Sequence, residues 1–298
     1  LMSNTKKLAI ISDFHLDINH FSEEELELFN QVLINENITH LHFAGDMSND
    51  FKNLTVPYFK RLSVLTEIAV SYNLGNHDMV GLTEETISAN DFQVQWFSDT
   101  AFVSFSGWYD YSFMPQPADV KKIERYKHAF YFDRKIHRAA SDPLTTAQVL
   151  SKLKKVLSAL TKAKRIIISM HFVPHHAFII DTRYEKFARF NAYLGSEHFH
   201  ALFAQFPQIT DVVFGHIHHH FSDVVIDDIH YHAKALGYPY EWQMVPRFFE
   251  LHPELLITDA FHLRKRYNAI QSLTQWQTFR KKELAKEFLS ALTIFEFH

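Results

Sequence analysis

The chain has no cysteine, which excludes disulfides, thiol nucleophiles and every zinc site built on sulfur. Any metal must therefore be held by His, Asp, Glu or Asn. No apolar run approaches the ~18 residues that a membrane-spanning helix needs. Lys6 and Lys7 precede a short apolar run, Leu8 to Ile11, which Asp13 ends too early for a secretory signal. A cytoplasmic protein that does not enter a membrane is expected. No repeat, low-complexity tract or Pro/Gly/Ser linker interrupts the sequence, so one domain over 1–298 is expected. Glycine is scarce, seven in 298 residues, so the position of each carries information.

What is present suits a globular protein: 47% hydrophobic residues, 21% charged and 21 histidines. The net charge of −4 hides an asymmetry. Between Lys121 and Arg165 stand 13 Lys and Arg against three acids, Glu124, Asp133 and Asp142, a local +10. That segment could face a polyanion, or Lys152, Lys154, Lys155, Lys162 and Lys164 could form the solvated face of one helix.

Five short apolar runs predict buried strands at Leu8–Ser12, His40–Ala44, Ile68–Leu74, Arg165–Met170 and Asp211–Phe214. Later strands are expected over Val224–Ile229, Tyr231–Leu236 and Leu255–Thr258. Helical patterns alternate with them. Ser22 before Glu23, Glu24 and Glu25 caps a helix running to about Glu36. A second covers Leu54–Thr66, with Pro57 suited to its first turn. Ser141, Asp142 and Pro143 open a third, continued at helical spacing by Val149, Leu153, Val156, Leu157 and Leu160. Such alternation predicts an α/β fold with a largely parallel sheet covered by helices. The last forty residues are expected to be helical, with Leu273, Trp276, Phe279, Leu284 and Phe288 forming a stripe for the core or a dimer contact.

The ends of the strands carry the chemistry. The five runs end in Asp13-Phe14-His15, Gly45-Asp46, Gly75-Asn76-His77-Asp78, His171 and Gly215-His216-Ile217-His218. In open α/β sheets ligands bind at the carboxyl ends of strands, so five such tips can converge on one crevice. Asp13 and His15, like His216 and His218, lie two apart and point to one side of an extended segment. Three of the seven glycines, Gly45, Gly75 and Gly215, stand immediately before a candidate ligand, where only a missing side chain lets backbone approach closely. D-x-H and G-D are weak signals, but G-N-H-D arises by chance on the order of 10⁻³ times in such a chain.

In order and placement these motifs resemble the calcineurin-like metallophosphoesterase superfamily, from about Lys7 to Leu236. The resemblance implies a four-layer α/β/β/α sandwich, here with insertions near 105–145 and 175–200 and a C-terminal extension over 240–298. It implies two divalent or mixed-valence ions (Mn, Fe or Zn). Asp13, His15, Asp46 and His218 would hold one, and Asp46, Asn76, His171 and His216 the other, with Asp46 bridging. It implies hydrolysis of a phosphomonoester or phosphodiester by metal-bound hydroxide. His77, between the ligand Asn76 and the carboxylate of Asp78, reads as the catalytic acid, with Asp78 accepting from its ring nitrogen. The substrate expected is a phosphorylated small molecule. A nuclease acting on nucleic acid and a non-catalytic scaffold are the alternatives, and the oligomeric state is left open. Gly45-Asp46 continues as Met47-Ser48-Asn49-Asp50 rather than G-D-x-x-D-R-G, which separates the chain from protein serine/threonine phosphatases.

Other residues stay ambiguous. His42 reads as a core or surface histidine. His175 and His176 could line the crevice, whereas His219 and His220 read as solvent-facing, with at most one of them touching substrate. Trp108 and Tyr109 could stack on a substrate beside the basic segment or pack the insertion onto the domain. Arg183, Tyr184 and Asn191 are equally open.

Overall fold

The computed structural model describes residues 5–222, 224–256 and 262–298. Its strands are β1 (Lys6–Ile11), β2 (His40–Ala44), β3 (Ala69–Asn73), β4 (Gln93–Phe97), β5 (Thr100–Ser104), β6 (Arg165–Ser169), β7 (Ile209–Phe214), β8 (Val224–Ile226), β9 (Ile229–Ala233) and β10 (Thr293–Phe297). They form two sheets, ordered β10-β1-β2-β3 and β4-β5-β6-β7-β9-β8. Strands β1, β2 and β3 pair in parallel, as do β5, β6, β7 and β9. The antiparallel strands β10, β4 and β8 lie at sheet edges.

The sheets pack face to face with helices outside, the four-layer sandwich. Successive side chains point to opposite faces of a strand, and in β1, β2, β6 and β7 both faces are buried, which is why these strands read as short apolar runs. Leu8, Ile10, Ala44, Phe102, Ile167 and Val213 meet Phe97, Phe295 and Phe297 between the sheets. The opposite face of the first sheet, with Ala9, Ile11, Leu41 and Phe43, belongs to the core that includes Phe29, Leu33, Leu62 and Phe288. Part of the inter-sheet layer is polar. The Nε2–H of His42 donates to Asn73 Oδ1 at 2.9 Å, and that oxygen also accepts from Ser169 Oγ of the other sheet at 2.9 Å. His42 is thus a core residue.

The helix Glu23–Asn35 begins with a complete capping box between Ser22 and Glu25. The second starts at Val56, after a π turn over Phe51–Thr55, with Pro57 in its first turn. The third covers Asp142–Ala159. The Thr274–Ser290 helix buries Trp276, Leu284 and Phe288. No helix among the described residues is long and apolar enough to cross a membrane.

Three expectations need correction. The chain does not end as a helix: Thr293–Phe297 is β10, paired with β1, and its alternating burial is a strand signal too short to stand out beside a 17-residue helix. Two strands lie outside the expected set: β4 is half-exposed and lacks an apolar run, and the apolar part of fully buried β5 is only Ala101–Val103. Leu255 closes a 3-10 turn rather than opening a strand, and Ile257 and Thr258 lie outside the described residues. β8 and β9 end earlier than expected, because Asp227 and Asp228 adopt the left-handed pair of a tight hairpin turn and Lys234–Gly237 swings back to the β1 tip.

Candidate metal centre

Backbone hydrogen bonds join the loop after β1 to that after β2 and the loop after β6 to that after β7, and carboxylates join the rest: His77 N donates to Asp46 Oδ1 at 2.8 Å and His216 N to Asp13 Oδ2 at 3.1 Å. Asp13 N donates to Gly45 O at 3.0 Å, His15 N to Asp46 O at 3.1 Å, and Gly215 N to His171 O at 3.1 Å. A Cβ on Gly75 would collide with the Asp46 carboxylate, and one on Gly215 with that of Asp13. Asp13, His15, Asp46, His216 and His218 all have positive φ, between 47° and 70°. Such conformations cost ~1–3 kcal/mol each for L residues and persist where the surrounding structure imposes them.

The result is two clusters that share a member. Ligand atoms of Asp13, His15, Asp46 and His218 lie within 4.8 Å of one another, as do those of Asp46, His171 and His216. Within the first, His218 Nε2 lies 2.9 Å from Asp13 Oδ1 and 3.1 Å from His15 Nε2. Within the second, His171 Nε2 lies 3.3 Å from Asp46 Oδ2 and 3.1 Å from Asn76 Oδ1.

The donor set fits two cations. Three rings each give one N–H to an acceptor outside the cluster: His171 Nδ1 to Ala44 O at 3.1 Å, His216 Nε2 to Tyr193 O at 3.1 Å and His218 Nδ1 to Glu241 Oε2 at 2.8 Å. Carbonyls and carboxylates only accept, so when neutral each ring keeps a lone pair on its other nitrogen, as a metal ligand requires. Burial opposes ionisation of Asp46, yet His171, His77 and His15 hold its carboxyl well below the usual range. Burial likewise opposes protonation of His171, but the Asp46 and Asp13 carboxylates lift that ring to about 9. These buried carboxylates attract positive charge.

Asp78 does not hold the His77 ring. Its carboxylate accepts backbone amides of Asp46, Met47, Ser48 and Gly75 at 2.7, 2.9, 3.2 and 2.9 Å. The ring Nδ1–H of His77 instead donates to Asn49 Oδ1 at 2.9 Å, and Asn49 is itself held by Asp17 through its Nδ2 at 2.7 Å. Burial lowers the His77 pKa, against the pull of Asp46, rather than a carboxylate raising it. His77 Nε2 lies 3.9 Å from Asp46 Oδ2.

The remaining candidates disperse. Trp108 and Tyr109 are wholly buried, so they pack the insertion and do not stack on a substrate. His176 pairs with Glu197, which also lies 3.5 Å from His175 Nε2. But His175 Nδ1 accepts from Ala177 N, which leaves its proton on Nε2 and that nitrogen unable to ligate. His219 packs on Phe221, and His220 donates to Ala235 O. Arg183 pairs with Asp181, and Asn191 brackets the backbone of Ile180. Four of the 13 cations in the basic segment, Lys127, Arg138, Lys164 and Arg165, are neutralised by Asp142, Glu84, Asp99 and Asp211. The sequence reading missed Asn49, Asp133, Glu241, Phe132 and Tyr238, none of which sits in a ligand motif. Phe132 stacks on His77 with ring centroids 4.0 Å apart, and Tyr238 on His15 at 4.7 Å.

The model of the calcineurin-like phosphoesterase family matches residues 6–220. The chain belongs to this family. Its chemistry is accordingly metal-dependent phosphoester hydrolysis, and the family implies two metal ions. Among solved structures the fold is similar to a phosphopantetheinyl hydrolase from Mycobacterium tuberculosis, with TM-score 0.56 and 17% identity over 80% of this chain and 92% of that one. It is also similar to a dimetal phosphatase from Danio rerio, with TM-score 0.49 and 14% identity over 77% of this chain and 87% of that one. No curated protein sequence matches the chain.

Proposed function

We propose that this phosphoesterase hydrolyses the phosphate ester of a small phosphorylated molecule at a dinuclear centre bridged by Asp46. The observation that carries the proposal is the membership of Asp46 in both clusters. Paired divalent ions supply an activated water and the positive charge that a phosphoryl group needs. The nitrogen and oxygen donors suit Mn, Fe or Zn. Asp13, His15 and His218 complete one side, and Asn76, His171 and His216 the other. His77, steadied by Asn49 on one nitrogen, offers the other at the rim of the site, where a phosphate dianion favours its protonated form and the leaving oxygen receives that proton. The net charge of −4 speaks against tight binding of nucleic acid, and a non-catalytic scaffold has no use for so complete a donor set.

Elemental analysis combined with hydrolysis of an aryl phosphate and an aryl phosphodiester tests this, with and without added Mn²⁺. Wild-type protein is expected to hold two ions and cleave at least one ester. Asp46→Asn is expected to lose occupancy at both positions. Two full sites in that variant overturn the bridge, and two full sites in wild type with no hydrolysis of any phosphoester overturn the function.

A further inference from the structure

An asparagine side chain has two ends of nearly identical shape, and only the oxygen binds a metal. Which end faces inward is decided by what holds the other end. Asn76 donates from Nδ2 to Asp133 Oδ1 at 2.8 Å, leaving its Oδ1 beside His171 Nε2. Asp133 comes from the insertion, on the 3-10 turn Phe132–Lys135, and is wholly buried. Among the described residues no Lys, Arg or His forms an ion pair with it. A buried carboxylate without a cation partner is costly, and here the Asn76 amide meets Oδ1 while Oδ2 has no hydrogen-bond partner among the described residues.

The other cluster has a counterpart. A histidine likewise has two possible neutral tautomers, and only a deprotonated nitrogen ligates. Glu241 Oε2 accepts from His218 Nδ1 at 2.8 Å, so His218 Nε2 is the nitrogen turned toward Asp13 and His15. The same Glu241 oxygen accepts Tyr238 N at 2.9 Å, which anchors the loop whose Tyr238 ring lies on His15. Gly237 makes this approach possible: a Cβ there would stand 2.9 Å from Glu241 Oε2, and its φ is +70°.

We infer that Asp133 and Glu241 are positioning residues, each orienting one ligand of a different metal cluster so that its donor atom faces the ion. The inference rests on the two-cluster reading above. Neither residue touches the ion or the reacting atoms. Partners of this kind change metal affinity ~10- to 100-fold.

The test is titration of the metal-free protein with Mn²⁺ by calorimetry, paired with anomalous scattering from Mn²⁺-soaked crystals to assign each loss to a cluster. Asp133→Ala is expected to weaken the Asn76/His171/His216 site ~10- to 100-fold and leave the other within about threefold; Glu241→Ala is expected to do the reverse. Asp133→Asn and Glu241→Gln keep an acceptor oxygen and are expected to restore most of the affinity, which a purely structural role does not predict. Where an alanine variant fails to fold, serine, too short to reach the ligand, takes its place. Equal weakening of both sites, or of neither, overturns the inference. Wild-type protein binding fewer than two Mn²⁺ overturns the two-cluster reading itself, and the inference falls with it.

Discussion

The carboxylate of Asp78 accepts the backbone amide of Asp46 at 2.7 Å, so the residue shared by both clusters is held from behind by a carboxylate that ligates nothing. All four partners of Asp78 are N–H donors, and only an acceptor-only side chain satisfies them. Asp78→Asn sets an amide NH₂ against a backbone N–H. It is expected to cost ~2–4 kcal/mol of stability, the range for losing partners of a buried charged group. Weaker binding at both metal sites should accompany that loss. Thermal melts and Mn²⁺ titration check this; a variant with wild-type stability and affinity removes Asp78 from its supporting role.

Unlike Asp78, His77 faces the site with its ring. His77→Gln is expected to keep both metals and to lose ~10²- to 10⁴-fold in rate on alkyl phosphoesters, whose leaving group needs a proton. The loss should be much smaller on nitrophenyl esters, whose leaving group does not. Parallel kinetics on the two substrate classes, with metal content measured on the same preparation, decide it. Equal losses on both classes place the acid elsewhere.

Trp108 donates from Nε1 to Asp142 Oδ1 at 2.8 Å, stacks on Tyr109 at 4.7 Å and carries Arg138 over its ring. It ties the insertion to the Asp142–Ala159 helix without reaching solvent. Trp108→Ala is expected to destabilise by ~3–5 kcal/mol through the cavity it leaves. Any fall in kcat/KM should be uniform across phosphoesters. Urea unfolding and a substrate panel test this, and a selective change for one substrate contradicts it.

Buried His42 links a polar layer to acid sensitivity. His40 Nε2–H donates to Ser71 Oγ at 2.7 Å, Ser71 donates to His42 Nδ1 at 2.8 Å, and His42 donates onward to Asn73. Burial lowers the His42 pKa from 6.5 to about 3, against the Asn73 hydrogen bond, because a second proton on the ring has no acceptor to meet. Between those two values the unfolded chain takes up a proton that the folded chain refuses, so stability falls as pH drops through that window. His42→Gln is expected to flatten the decline by up to ~1.4 kcal/mol per pH unit, the linkage limit for one proton. Urea unfolding at pH 7.5, 6.5, 5.5 and 4.5 measures the slope; an unchanged slope rules out His42 as its source.

Much of the molecule was legible because its signals are local. A strand buried on both faces needs a short run that is mostly apolar, and a ligand at its tip needs a particular side chain next to a glycine. Both conditions are met within a few positions, as at Leu41–Asp46 or Val212–His218. Ligand type, strand polarity and the capping box of Glu23–Asn35 all belong to this class. What only the tertiary structure decided are pairings between distant residues with no local trace: Asn76 with Asp133, His77 with Asn49, His218 with Glu241, β1 with β10. A lone Asp or Glu on a loop looks the same in sequence whether it is solvated or buried against a ligand. Asp78 shows the limit most directly. Its place beside His77 suggested that it served the ring, but the turn after β3 sends its carboxylate to four backbone amides on two loops, and that direction is set by the packing of β2 against β3.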